Sequence, residues 1–227
     1  MAEKTIYVVT SDEARNGKSF FARFLIDYLL LAKRDPIVFD AGWPHQHMRA
    51  RWPGRTYPAD FSKVQGQMAF FDRVLAMPAI PTRDGVLDLS GRDLQVFLSL
   101  ADDIQFSREM VSKGLGLELF FIVTGTPESR RLIDRIRAMK LFRAIHCLRP
   151  EMIPTSHFGV LPVSEIVIPQ LSPSVVEQVD RLGFSVGAFL RGRRQGLNDI
   201  EAKEFNAFLD KVMGGIDAIV MAQKERR

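Results

Sequence analysis

An α/β fold with a mainly parallel, doubly wound sheet flanked by helices is predicted by three observations. Apolar runs of strand length recur along the 227 residues with helical stretches between them, as in a parallel sheet covered on both faces. The first run, 5–10, passes through a Gly-Lys-Ser turn into a helical stretch at 20–31. Two later runs end in carboxylates, Asp40 and Asp88, where strands of such a sheet present groups to a ligand. The length suits a single domain over 1–227.

The elements follow in order. After the strand at 5–10 and the helix at 20–31, Pro36 to Asp40 reads as a buried strand. The segment 42–60, rich in Pro and Trp and without a clear period, reads as a long functional loop or partly ordered lid. Phe61, Val64, Met68, Phe71 and Leu75 are spaced as the apolar face of a helix over 61–77. A third strand is expected at 85–90, a helix at 93–113 and the most apolar strand at 117–124. Thr126-Pro127 opens a helix to about Met139, with Pro in the first turn where its missing N–H does no harm. Strands at 142–148 and 160–168, a helix at 172–182 and an amphipathic helix at 198–221 complete the chain.

Composition excludes several classes. A hydrophobic fraction of 46% with 26% charged residues is that of a soluble globular protein. The net charge of +4 permits an acidic or nucleic-acid partner without requiring one, because the 31 Lys and Arg are scattered among 27 acids. Cys147 is the only cysteine, so one chain forms neither an internal disulfide nor a cysteine zinc site, which suits a reducing compartment. The N-terminus runs into the first strand without a basic-then-apolar leader, and the expected location is cytoplasmic. The longest apolar stretch, 20–32, is broken by Arg23 and Asp27 and is too short to span a bilayer.

Asn16-Gly17-Lys18-Ser19, set between strand and helix, reads as a phosphate-binding loop. Backbone N–H groups of such a loop converge on an anion, the Lys reaches the terminal phosphates and the Ser hydroxyl meets Mg²⁺. The residues expected to bind nucleotide are therefore Arg15, Asn16, Gly17, Lys18, Ser19 and Phe20. The expected ligands are ATP and Mg²⁺, with Ser19, Asp88 and Asp40 as metal candidates. Asp88 is the better carboxylate, since Ser90-Gly91 follows its apolar strand. The loop is irregular: Asp12 stands where the usual pattern has Gly, and Glu13-Ala14-Arg15-Asn16 fill positions that favour small residues. The bland alternative makes Gly17 a turn, Lys18 a solvated cation and Ser19 a cap.

With these residues in place the chain resembles the ParA/MinD-like branch of P-loop ATPases, and within it TraL-type conjugal-transfer proteins. The likeness runs through the loop at 11–19, the strands ending at Asp40 and Asp88, the run Leu119 to Gly125 and a late Gly159-Val160-Leu161-Pro162. It implies a P-loop NTPase fold, a homodimer and a nucleotide state that controls dimerisation or the capture of a protein or DNA partner. Departures bear on activity. The family's signature Lys is replaced by Glu13, and the second Asp of its Asp-x-Asp run is replaced by Gly42. Hydrolysis is expected to be weak or absent.

Other candidates are weaker. His45 and His47 in the long loop lack a neighbouring Cys and read as solvated. Arg191, Arg193 and Arg194, with Lys224, Arg226 and Arg227, read as a solvated basic face with DNA contact as the alternative. Trp43 and Trp52 beside Arg49, Arg51 and Arg55 suit either packing or a partner surface. Two other functions stay open: a pseudo-ATPase scaffold that binds protein or DNA without nucleotide, and a small-molecule kinase or ligase on the same fold.

Overall fold

The computed structural model describes residues 4–42, 47–79, 83–155 and 163–225, with side chains described as far as Ile219. Seven parallel strands form one sheet in the order β3-β2-β4-β1-β5-β6-β7. They are β1 Lys4–Ser11, β2 Ile37–Asp40, β3 Thr56–Pro58, β4 Gly85–Asp88, β5 Leu115–Ile122, β6 Ala144–Pro150 and β7 Ser164–Ile168. The helices are α1 Lys18–Leu31, α2 His47–Arg51, α3 Val64–Ala76, α4 Gly91–Asp103, α5 Phe106–Ser112, α6 Pro127–Ala138, α7 Pro173–Asp180, α8 Val186–Leu190 and α9 Asp199–Glu225.

The period-two alternation of the central strands divides their side chains between two cores. Ile6 and Val8 of β1, with Leu117, Leu119 and Phe121 of β5, face α3, α4, α5 and α6. Tyr7 and Val9, with Phe120 and Ile122, face α1, α7, α8 and α9. Edge-to-face contacts among Phe61, Phe70, Phe71, Phe97 and Phe106 fill the first core. Each such buried ring contributes roughly 1.5–3 kcal/mol from burial alone.

From β1 the chain goes out to β2 and the edge strand β3, returns to insert β4 between β2 and β1, and then crosses to build β5, β6 and β7 on the other side. The reversal lies at β1, so the loop that follows it opens into the crevice beyond the strand ends. Register places Asp88 of β4 opposite both Val9 of β1 and Asp40 of β2. The two carboxylates picked out in the sequence thus lie side by side, Asp88 one strand and Asp40 two strands from the loop.

Several expectations need correction. The segment 42–60, expected as a long functional loop or partly ordered lid, carries α2 and the edge strand β3, which pairs with β2 through Val38, Phe39 and Asp40. Three residues are too few for a periodic signal to register. The expected helix over 93–113 is two helices, broken at Gln105, whose φ of 51° leaves the right-handed helical region. On α3 the apolar phase is displaced: Phe70, Phe71 and Val74 are buried, whereas Val64 and Met68 are 62% and 60% exposed. Aromatic rings able to complete the phenylalanine cluster override the simple spacing. The short helix α8 had no sequence signal of its own, being five residues long. The start of the strand expected at 160–168, with the Gly159 to Pro162 turn, lies outside the described residues, as do His45 and Trp43. Among the described residues no helix is long and apolar enough to cross a membrane.

Candidate functional site

β1 ends in Ser11, whose hydroxyl donates to the Glu13 carbonyl at 2.7 Å while the Glu13 N–H returns to the same oxygen at 3.2 Å. This closes a tight turn at the start of the loop. Arg15 and Gly17 both adopt positive φ, 60° and 89°, so the backbone curls before α1 begins. Glycine takes that geometry freely, while at Arg15 it is strained. Gly17 is the N-cap of α1 and supplies no side-chain cap. By contrast, Ser90 caps α4 and Thr126 caps α6 with their hydroxyls. The first-turn N–H groups of α1 are therefore left to an external acceptor, the arrangement that attracts phosphate.

Lys18 folds back over its own loop. Its ammonium donates to the Glu13 carbonyl at 2.6 Å, to Asn16 Oδ1 at 3.2 Å and to Ser11 Oγ at 3.3 Å. Burial lowers its pKa, and the nearby charges of Asp88 and Asp12 oppose that shift. Ser19 hydrogen-bonds the Asp88 carboxylate, which is buried deeply enough to raise its pKa to about 6, with Asp40 pushing in the same direction. The predicted Lys18, Ser19 and Asp88 are thus brought together. Asp40 lies close by but is engaged locally: Oδ1 accepts from the Gly42 N–H at 2.9 Å and Oδ2 from the Met48 N–H at 3.0 Å.

Asp12, the residue in place of a loop glycine, is held from the far side by Thr124, whose hydroxyl donates to Oδ2 at 3.2 Å. Asp12 Oδ1 and Asn16 Nδ2 are buried with no protein partner. A buried unpaired amide donor beside the lysine ammonium suits an incoming anion. The donor set also fits Mg²⁺: one hydroxyl and one carboxylate, to which a ligand's phosphates would add the remaining oxygens. Among the described residues no group of three His, Cys, Asp or Glu is placed to hold a metal by itself.

Gly91, the first residue of α4, lets that helix approach the loop. A Cβ there would come within 2.6 Å of the Ser11 carbonyl oxygen. Helix propensity alone predicts that Gly91→Ala stabilises by up to about 1 kcal/mol. The clash with backbone predicts the opposite, a loss of about 1–3 kcal/mol in urea unfolding, because the loop has to shift.

Beside the loop lies an open cavity of about 450 Å³, whose walls include Lys18, Ser19 and Phe20 of α1, Met48 and Arg51 of α2, and Leu182 after α7. The sequence reading missed Arg23, Arg51 and Asp180 as wall residues and treated Arg23 and Asp27 only as interruptions of an apolar run. The usable signal was their i, i+4 spacing on α1, which sets both on one side of the helix. Asp27 lies behind the cavity; burial raises its pKa to about 6, against the attraction of Arg51 and a hydrogen bond from the Val186 backbone. An acid with a raised folded-state pKa binds more protons folded than unfolded, so stability falls as pH rises from about 4 to about 6, by at most roughly 1.4 kcal/mol per pH unit. Asp27→Asn should remove that slope in denaturation series and be more stable than the parent at pH 7.

The all-parallel sheet, the order of its strands and the loop after β1 define a P-loop NTPase fold. No protein-family model matches the sequence, and no curated protein matches it. Among solved structures the chain is similar to the MinC:MinD cell division protein complex of Aquifex aeolicus, with 15% identity and a TM-score of 0.56 over 84% of this chain and 89% of that one. It is also similar to a nucleotide-binding protein in complex with ADP from Archaeoglobus fulgidus, with 8% identity and a TM-score of 0.51 over 78% of this chain and 86% of that one. At these identities the likeness establishes the fold.

Proposed function

We propose that the chain binds a nucleoside triphosphate with Mg²⁺ at the loop 11–19, and that the bound state controls self-association or capture of a partner. The observation that carries the reading is the meeting of Lys18, Ser19 and Asp88 at the uncapped start of α1. Gly17 and the first-turn N–H groups cradle phosphate, Lys18 exchanges its loop acceptors for phosphate oxygens, and Asn16 donates its unpaired amide hydrogen. Ser19 and Asp88 hold the metal, with Asp40 adding negative charge beside them. Mg²⁺, when bound, supplies charge neutralisation at the phosphates.

Hydrolysis is slow or absent in this proposal, because position 42 is glycine and offers no carboxylate to orient a water. The similar MinD of Aquifex aeolicus is in complex with MinC, which supports a protein partner; a homodimer, DNA contact and service in partition or conjugal transfer are further parts of the proposal. The scaffold reading has one observation in its favour: Lys18 is already satisfied by three acceptors of its own loop.

Ligand-induced stabilisation separates the two. At about 100 times its Kd a ligand specific for the folded state adds about 2.7 kcal/mol. Mg-ATP should therefore raise Tm by several degrees, and light scattering on the same samples should show a change of mass. An unchanged Tm at millimolar Mg-ATP favours the scaffold.

A further inference from the structure

We propose that Arg23 and Arg51 form a second anion subsite in the cavity beside the loop, receiving a phosphate or carboxylate of a small molecule in exchange for Asp180. This extends the nucleotide reading, since both positions share one cavity.

The cavity wall is strongly cationic: among the described residues, Arg15, Lys18, Arg23 and Arg51 line it against one carboxylate, that of Asp180. Lys18 and Arg15 belong to the loop end. Arg23 lies five residues further along α1, its Cα roughly 7.5 Å down the helix axis from that of Lys18. Arg23 Nε donates to the Ser19 carbonyl at 3.2 Å, which holds the guanidinium against the helix, and its Nη2 pairs with Asp180.

Arg51 is fixed from the other wall. It donates to the Phe184 carbonyl at 3.1 Å and to the carbonyls of Asp180 and Arg181, tying α2 to the connection between α7 and α8. Those acceptors are neutral and leave the guanidinium charge in place. Burial lowers the Arg51 pKa and the neighbouring Arg23 charge lowers it further, while Asp27 and Asp180 oppose both. The two guanidiniums share Asp27 and Asp180 as counter-charges, so an anion that takes the place of Asp180 keeps the pair balanced.

Asp180 is the exchangeable member. Its side chain is 57% exposed, against 14% for Arg23. Asp180 can therefore return its carboxylate to water while an incoming anion takes its place on the largely covered Arg23. The incoming anion gains charge-assisted hydrogen bonds from guanidinium groups already held in place. Leu182 and Met48 supply apolar wall for the remainder of the molecule.

Calorimetry with inorganic phosphate as the probe, repeated with malonate as a carboxylate probe, tests this on the full chain with saturating Mg-ADP present. The expected result is binding of at least one probe, weakened about tenfold or more by Arg23→Gln, the value of a charge-assisted hydrogen bond. Asp180→Asn, an exposed change that leaves the fold intact, should tighten binding severalfold by removing the competing carboxylate. A structural ion pair would instead lose stability without changing probe affinity. Binding that disappears when Mg-ADP saturates the loop, binding indifferent to both substitutions, or no binding at millimolar probe overturns the subsite. If the parent chain binds no Mg-ADP, the nucleotide reading fails separately. The subsite is then decided by the probes on Lys18→Ala: retention supports it and loss overturns it.

Discussion

Lys18→Ala is expected to abolish Mg-ATP binding, raising the apparent Kd by at least about 100-fold, the scale of losing charge-assisted hydrogen bonds to phosphate in a partly buried site. The residue is half-buried and its ammonium is surrounded by Ser11, Glu13 and Asn16, so the loop is already shaped around a cation. Alanine leaves the phosphate-facing N–H groups but removes the charge that neutralises the terminal phosphate. The fold should survive, because the strands and helices that position the loop pack through side chains other than Lys18. Titration of a fluorescent ATP analogue measures the effect, with circular dichroism as the control for folding. An unchanged Kd would show that phosphate does not sit at Lys18.

Much of this site was legible in the sequence because its chemistry is local. Gly17, Lys18 and Ser19 are consecutive and lie between two strongly patterned elements, and Asp88 ends an apolar run. What the sequence did not display is long-range. Asp12 looked like a defect in the loop, yet it is bonded by Thr124, more than a hundred residues away. Asp40 reads in the sequence as a metal candidate second to Asp88, and nothing local announces that two backbone N–H groups from the segment that follows it engage both of its oxygens. The cavity walls come from α1, α2 and the α7–α8 connection, and no spacing rule joins Arg23 to Arg51 and Asp180. The fold followed the same division: long buried strands declared themselves, while three-residue β3 and five-residue α8 did not.

The largest stability effect is expected at Glu118, an acid in the most apolar strand of the sheet. Its side chain is fully buried, with Oε1 accepting from Arg143 Nε at 3.1 Å and Oε2 lying 3.3 Å from His146 Nε2. Arg143 also donates to Thr5 Oγ1 at 3.3 Å, and the other ring nitrogen of His146 meets Ser164 Oγ. One carboxylate therefore links β1, β5, β6 and β7 near the end of the sheet opposite the loop. Burial alone would raise its pKa, but the hydrogen bonds from His146 and Arg143 outweigh that and hold it below the usual glutamate range. It stays ionised in the folded chain.

Glu118→Ala leaves the Arg143 and His146 donors without their acceptor. Glu118 is fully buried but Arg143 is 34% exposed and can turn to water, so the loss falls below the about 3–5 kcal/mol of a fully buried pair, at roughly 2–3 kcal/mol. For a chain of this length that corresponds to a fall in Tm on the order of 10 °C. Glu118→Gln keeps an acceptor oxygen and should lose less, which separates lost hydrogen bonding from lost charge. The lowered pKa adds a pH signature: stability from Glu118 is present above the unfolded glutamate pKa and is lost as pH falls through the lower folded value. Urea unfolding of both variants measures these terms. A loss below about 1 kcal/mol for Glu118→Ala would mean that the network adds nothing beyond an exposed pair.

The most direct test of the central claim is calorimetric titration of the intact chain with ATP, with and without Mg²⁺. Saturable binding at one nucleotide per chain, dependent on Mg²⁺ and weakened by Asp88→Asn, is the predicted result. Absence of heat at millimolar Mg-ATP, confirmed by equilibrium dialysis, would contradict it and leave the loop as a relic on a fold that serves another ligand.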